Sequence, residues 1–235
     1  MPAACAATDG GGTRLRQFDA IICLNRSFAE YEMSETTSFW LIRHAAVDGP
    51  KGTIWPASAP ANLGDSGSLD LLRTQLPEDV KAYASPARRT IDTAKALQLD
   101  PVPVPEFAEQ DFGDWTGRRH DDLAASGGEA YAQFWSDPAR SIPPGGESFE
   151  DQVARVRQGI GRIESGSAIL VVHSGTIRAM LCIALDIEPH AALRFAIDPL
   201  SLTRIDRLDG NWRVMSVNQN FRDDSVFERS GNRFA

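Results

Sequence analysis

The sequence predicts an α/β fold: a three-layer α/β/α sandwich with a mostly parallel sheet and an antiparallel edge strand. Three observations carry that expectation. Two continuously apolar runs, at residues 39–42 and 168–172, end abruptly in polar side chains, as strands buried on both faces do. Segments with helical spacing of apolar residues stand between them, and alternation of strand with helix implies parallel pairing. Near the C-terminus Asp209-Gly210 separates two alternating stretches, which signals a tight hairpin and so an antiparallel edge.

In chain order, Phe39-Trp40-Leu41-Ile42 is the first strand, and it delivers Arg43 and His44 to a loop over 48–65 rich in Gly, Pro, Ala and Ser. Asp65 or Ser66 can cap a helix through Leu69, Leu71 and Leu72 to Leu76, stopped by Pro77. Residues 80–84 are a short second strand. Ser85-Pro86 starts a helix to Leu97, with proline in its first turn and Ile91, Ala94 and Leu97 on its buried face. Val102-Pro103-Val104 reads as an edge strand, because proline cannot donate to a ladder. Residues 106–146 are less regular, with helices expected around 120–125 and 129–135. Ser148 caps a helix through Val153, Val156, Ile160 and Ile163, with Glu150 and Asp151 in its favourable first turn. The strand at 168–172 runs into His173-Ser174-Gly175, and a helix follows through Ile177, Met180, Leu181 and Leu185. Residues 194–206 alternate (Leu200, Leu202, Ile205), and Trp212, Val214 and Val217 return after the turn.

Composition bounds the rest. The chain has 235 residues, 42% hydrophobic and 24% charged, which suits one domain, placed at 37–218. Residues 1–36 lack a sustained period and read as a disordered extension, with Met33 as an alternative start; 219–235 read as a polar tail. A net charge of −8 argues against a nucleic-acid partner, and no run is long enough for a membrane span. An anionic ligand therefore depends on local positive potential, within about 8 Å at physiological salt. Cys5, Cys23 and Cys182 have no metal-ligand spacing, and a reducing, cytoplasmic setting is expected. Cys182, in an apolar helix, reads as a core residue. The oligomeric state is left open.

The candidate site follows from strand ends. In open α/β sheets ligands bind beyond the carboxyl ends of the strands. Of four histidines, two, His44 and His173, each follow a buried strand directly. Arg43 precedes the first. Arg89, with Arg88 as its competitor, lies in the first turn of the helix after the second strand. Helix N-termini after strands one, two and four would add N–H groups for an anion.

Leu41-Ile42-Arg43-His44 resembles the Arg-His-Gly motif of the histidine phosphatase superfamily, also called phosphoglycerate-mutase-like. The stretch from Ser85-Pro86 through Arg89 to Thr93-Ala94 is similar to its Ser-Pro-x-x-Arg-x-x-x-Thr-Ala helix start. Glu109-Gln110-Asp111-Phe112-Gly113-Asp114-Trp115 resembles its acid-bearing segment, and Val172-His173-Ser174-Gly175 its second histidine. Gly145-Gly146-Glu147-Ser148 resembles a turn frequent in the α-ribazole phosphatase branch. These motifs run in the family's order from about Phe39 to Asn218. Ala45, Ser174 and Thr116 depart from it, and the loop after His44 lacks the mutase pattern.

The resemblance implies a phosphoglycerate-mutase-like sandwich and a phosphomonoester hydrolase acting on a small phosphorylated metabolite, with α-ribazole 5′-phosphate the first substrate expected. It implies His44 as nucleophile, Arg43 and Arg89 gripping phosphate, His173 donating to it in the protonated form, and Glu109 as acid and base. No cofactor or metal is expected. Phosphoglycerate mutase, a His/Glu metallohydrolase and an idle partner-binding scaffold are the alternatives.

Overall fold

In a computed structural model of the chain, residues 36–126, 128–163 and 166–221 are described. The expected extension and tail lie outside them, except for Thr36, which opens the first strand, and residues 219–221, of which Gln219 closes the last. Cys5, Cys23 and Met33 also lie outside.

Six strands form one sheet: β1 (Thr36–Arg43), β2 (Lys81–Ala84), β3 (Val102–Pro103), β4 (Gly166–Val172), β5 (Leu202–Leu208) and β6 (Asn211–Gln219), in the order β3-β2-β4-β1-β5-β6. The first four in that order pair in parallel, while β5 is antiparallel to β1 and β6 to β5. The mostly parallel sheet with an antiparallel edge is as expected. Asp209 and Gly210 both take positive φ, 46° and 81°, as a two-residue hairpin turn requires.

Strand side chains alternate between two cores. Phe39, Leu41, Ala168, Leu170 and Val172 pack under α5 (Phe149–Gly161) and α6 (Ser174–Leu185). Ile42, Ala82, Ala84, Ile169 and Val171 pack under α1 (Ser66–Arg73) and α2 (Arg88–Ala96) on the other face. Both faces of the central strands are therefore buried, which is why their sequences are apolar without alternation. Two helices, α3 (His120–Ser126) and α4 (Gly128–Ser136), build a smaller cluster in which Ile54, Trp115, Leu123 and Phe134 are buried. The short α7 (Pro189–Ala192) precedes β5.

Helix caps follow the expected chemistry. Asp65 accepts from Ser68 N at 3.0 Å, and Ser148 forms a reciprocal capping box with Asp151. Several expectations differ, beginning with α1, which ends at Arg73 with Thr74 as its cap and does not reach Leu76. Pro86 lies before the Ala87 cap of α2, outside the first turn, because Ala87 is extended, with φ −66° and ψ 142°; Arg88 N, free of any helical partner, bonds Ala57 O at 2.8 Å. Residues 194–201 are not strand: Leu200 takes a left-handed φ of 59° and Ser201 N bonds back to Asp198 O. No helix follows β1 directly, so the helix N-termini at the carboxyl end are those after β2 and β4. Cys182 is buried, with Sγ on Ile187 O at 2.9 Å.

Candidate active site

Three adjacent strand ends build the site. Ile42 lies opposite Val171 in the β1–β4 pair, and His44 N donates to Val172 O at 2.9 Å, so each histidine follows its strand in matched register. Ser85, next in line after β2, bonds the same strand through Val171 O. Two imidazoles thus share one end and one face of the sheet, with ring centroids 5.0 Å apart, edge to face.

His44 is 7% exposed and its Nδ1 lies 2.6 Å from Ala45 O. A carbonyl only accepts, so Nδ1 carries the hydrogen and the neutral ring keeps its lone pair on Nε2. Arg89 Nε donates to that Nε2 at 3.2 Å, while its Nη1 donates to Pro56 O at 3.0 Å. The backbone beyond His44 is fixed by Thr93, whose Oγ1 accepts from Ala45 N at 3.0 Å and donates to Arg89 O at 2.7 Å. Ala45 has no positive φ and its methyl joins the core, so alanine fits where the family has glycine.

The two adjacent arginines separate cleanly. Arg89 is 5% exposed against His44, whereas the Arg88 side chain is 64% exposed and pairs with Asp92. Arg43 donates through Nη1 to Ile197 O. His173 is fully buried with Nε2 2.8 Å from Ser85 Oγ. Glu109 is held by three groups: its Oε1 accepts from Gln110 N and Gln152 Nε2, both at 3.2 Å, and its Oε2 from Gly175 N at 3.4 Å. All five expected residues stand at this end of the sheet: Arg89 bonds His44, the His44 and His173 rings meet, and Glu109 interacts electrostatically with Arg43 and Arg89.

A family model described as the histidine phosphatase superfamily (branch 1) matches residues 39–220. The chain belongs to that superfamily. The adenosylcobalamin/alpha-ribazole phosphatase of Salmonella typhimurium is 28% identical over 184 residues, covering 73% of this chain and 91% of that protein. Its Escherichia coli counterpart is 27% identical, covering 77% and 91%. The crystal structure of the alpha-ribazole phosphatase from Shigella flexneri superposes with a TM-score of 0.69 at 24% identity, covering 77% of this chain and 96% of that one, and shows the shared fold.

Electrostatics sort the histidine phosphatase residues by charge state. Burial, then His173, holds His44 well below the usual histidine pKa, with Arg89 and Arg43 pushing the same way against the Ala45 bond. Burial and then Arg89, Arg43 and Arg155 do the same to His173. Both imidazoles are therefore neutral in the free site. Protonated His173, as the resemblance implies it, requires the negative charge of a bound phosphate to offset those cations. Burial also lowers Arg43 and Arg89, with Glu109 opposing in each case.

Four further residues escaped the sequence reading. Arg178, on α6, interacts with Glu109 and Arg43, and its Nε donates to Phe195 O at 2.9 Å. Its signal was available: it is the one charge in the apolar helix Ser174–Leu185. Gln152 is a fully buried amide among the apolar positions of α5. Arg155 bonds Glu147 and the carbonyls of Glu106, Ala108 and Glu109. Ser85 is the partner of His173. Asp111, by contrast, forms a turn, accepting from Gly113 N at 2.8 Å.

Proposed function

We propose that this chain is a phosphomonoester hydrolase that works through a phosphohistidine on His44. The observation that carries the reading is the fixed tautomer of His44: Nδ1–H is committed to Ala45 O, and Nε2 faces Arg89. In the first step the Nε2 lone pair forms a bond to phosphorus, the ester P–O bond breaks, and the Glu109 proton passes to the leaving oxygen. In the second, water attacks phosphorus, Glu109 takes a water proton, and the N–P bonding pair returns to Nε2. The sum is one ester and one water converted to one alcohol and inorganic phosphate. Arg43 and Arg89 bind the equatorial oxygens, where preorganised charge lowers the barrier most. His173 adds a third donor once phosphate is bound.

The reading uses no metal. Among the described residues no cluster of three His, Cys, Asp or Glu could hold one, and the arginines around the imidazoles oppose a dication. Among the described residues no helix is long and apolar enough to cross a membrane, and the reading places the enzyme in the cytoplasm.

The substrate is a small phosphorylated metabolite, and the names of the Salmonella and E. coli relatives support α-ribazole 5′-phosphate as the first to try. His120, Tyr131 and Trp135 form mutual edge and tilted contacts, and Trp135 is 48% exposed, offering a face for an aromatic leaving group. The test is a phosphomonoester panel with wild type and His44→Ala. Turnover falls more than about a thousandfold in the variant, and acid-labile phosphate is trapped on the wild type only. Undiminished turnover by His44→Ala removes the reading.

A further inference from the structure

We propose that Gln152 is a positioning residue for Glu109, fixing through its side-chain amide which carboxyl oxygen carries the transferable proton. The inference rests on the acid–base reading of Glu109 and extends it to a residue outside the motifs. Gln152 is 0% exposed and lies in the first turns of α5, on the face that packs against the segment bearing Glu109. Its Nε2 donates to Ala108 O and to Glu109 Oε1, each at 3.2 Å, so both amide hydrogens are used on consecutive residues.

Gln110 N also donates to Oε1, at 3.2 Å. A carboxylate oxygen has two in-plane lone pairs, and two N–H donors occupy both. When Glu109 is protonated, its hydrogen is therefore on Oε2, whose one hydrogen bond among the described residues is the long 3.4 Å approach of Gly175 N. Without Gln152 one lone pair of Oε1 is released, and the proton is shared between the two oxygens.

Two further observations argue that the amide does more than fill space. Gln152 Oε1 is buried without a hydrogen-bond partner among the described residues, a cost that methionine or leucine would avoid at the same volume. The packing is also tight: a methyl placed on Gly175 would lie 2.1 Å from Glu109 Oε1 and 2.8 Å from Gln152 Oε1. Carboxyl, amide and helix backbone therefore form one contact set.

Gln152→Met tests the proposal. Ala108 O keeps donors in Arg155 Nη1 at 2.9 Å and Thr176 Oγ1 at 3.3 Å, so the variant removes a donor from Glu109 alone. The readout is kcat/KM on two substrates: an alkyl phosphate, whose leaving oxygen needs a proton, and p-nitrophenyl phosphate, whose leaving group departs as the anion. The expected result is a loss of about tenfold on the alkyl ester and little loss on the aryl ester, with KM nearly unchanged. Glu109→Gln, run beside it, shows the same preference more strongly. Equal losses on the two esters in Gln152→Met, or no loss, overturn the proposal while that preference in Glu109→Gln stands. Equal losses in Glu109→Gln overturn the acid reading itself and the proposal with it. Should Gln152→Met not fold, Gln152→Asn, too short to bridge both acceptors, gives the same discrimination.

Discussion

Gly175 shows how little room the Glu109 carboxyl has. Its backbone is ordinary helix, so glycine is required there by space and not by φ: a Cβ would meet the Glu109 carboxyl at 2.1 Å. Both colliding groups are ends of flexible side chains, so Gly175→Ala is expected to fold, by circular dichroism, yet lose roughly a hundredfold in kcat on alkyl phosphates. Retained turnover would show that Glu109 need not be where it stands. At this scale the sequence was informative where chemistry and chain position coincide. His44 and His173 follow apolar strands, and Arg43 and Arg89 flank them. Arg155 and Ser85 were not legible as site residues, because their roles depend on contacts between segments distant in sequence. Gln152 and Arg178 did leave a trace, as a polar side chain on an otherwise apolar helical face.

Segments around the acid interlock through backbone. Asp114 N donates to Pro144 O and Glu147 N to Asp111 O, both at 2.9 Å, and Gln110 Nε2 reaches Glu147 O at 2.9 Å. Two glycines make that approach possible: a Cβ on Gly146 would lie 2.2 Å from Asp111 O, and one on Gly113 2.1 Å from Pro144 O. Backbone cannot swing aside as a side-chain tip can. Gly146→Ala is expected to lower stability by about 1–3 kcal/mol in urea unfolding and to reduce activity with it. An unchanged midpoint would separate this turn from the positioning of Glu109. Elements were largely readable, since strand runs, the Asp209-Gly210 hairpin and the Ser148 cap each have a local cause. The start of α2 and the path of residues 194–201 were not: the first turns on the extended backbone of Ala87, and the second on the Arg43 backbone, which receives Leu200 N at 3.0 Å.

The whole molecule is acidic, at −8, yet concentrates Arg43, Arg89 and Arg155 around two buried imidazoles, with Arg178 interacting with Arg43 and Glu109. That arrangement ties stability to pH. The folded pKa values of His44 and His173 are depressed, so their contribution is intact above about pH 6.5 and is lost as pH falls below it, where the unfolded chain takes up protons the native site refuses. Each histidine costs up to ~1.4 kcal/mol per pH unit there. Half-buried His120, also depressed by burial, adds in the same direction. Urea midpoints measured at about pH 7.5 and 5.5 should fall toward acid, and less steeply in His173→Gln. Equal slopes would mean that His173 accepts a proton in the native state. The pairing of Ile42 with Val171 also means that neither imidazole's segment alone forms the anion cradle. A chain severed in a loop between them yields two halves with one imidazole each, and turnover returns only when β1 finds β4. Such a pair of fragments is expected to act as a complementation reporter, silent apart and active once brought together.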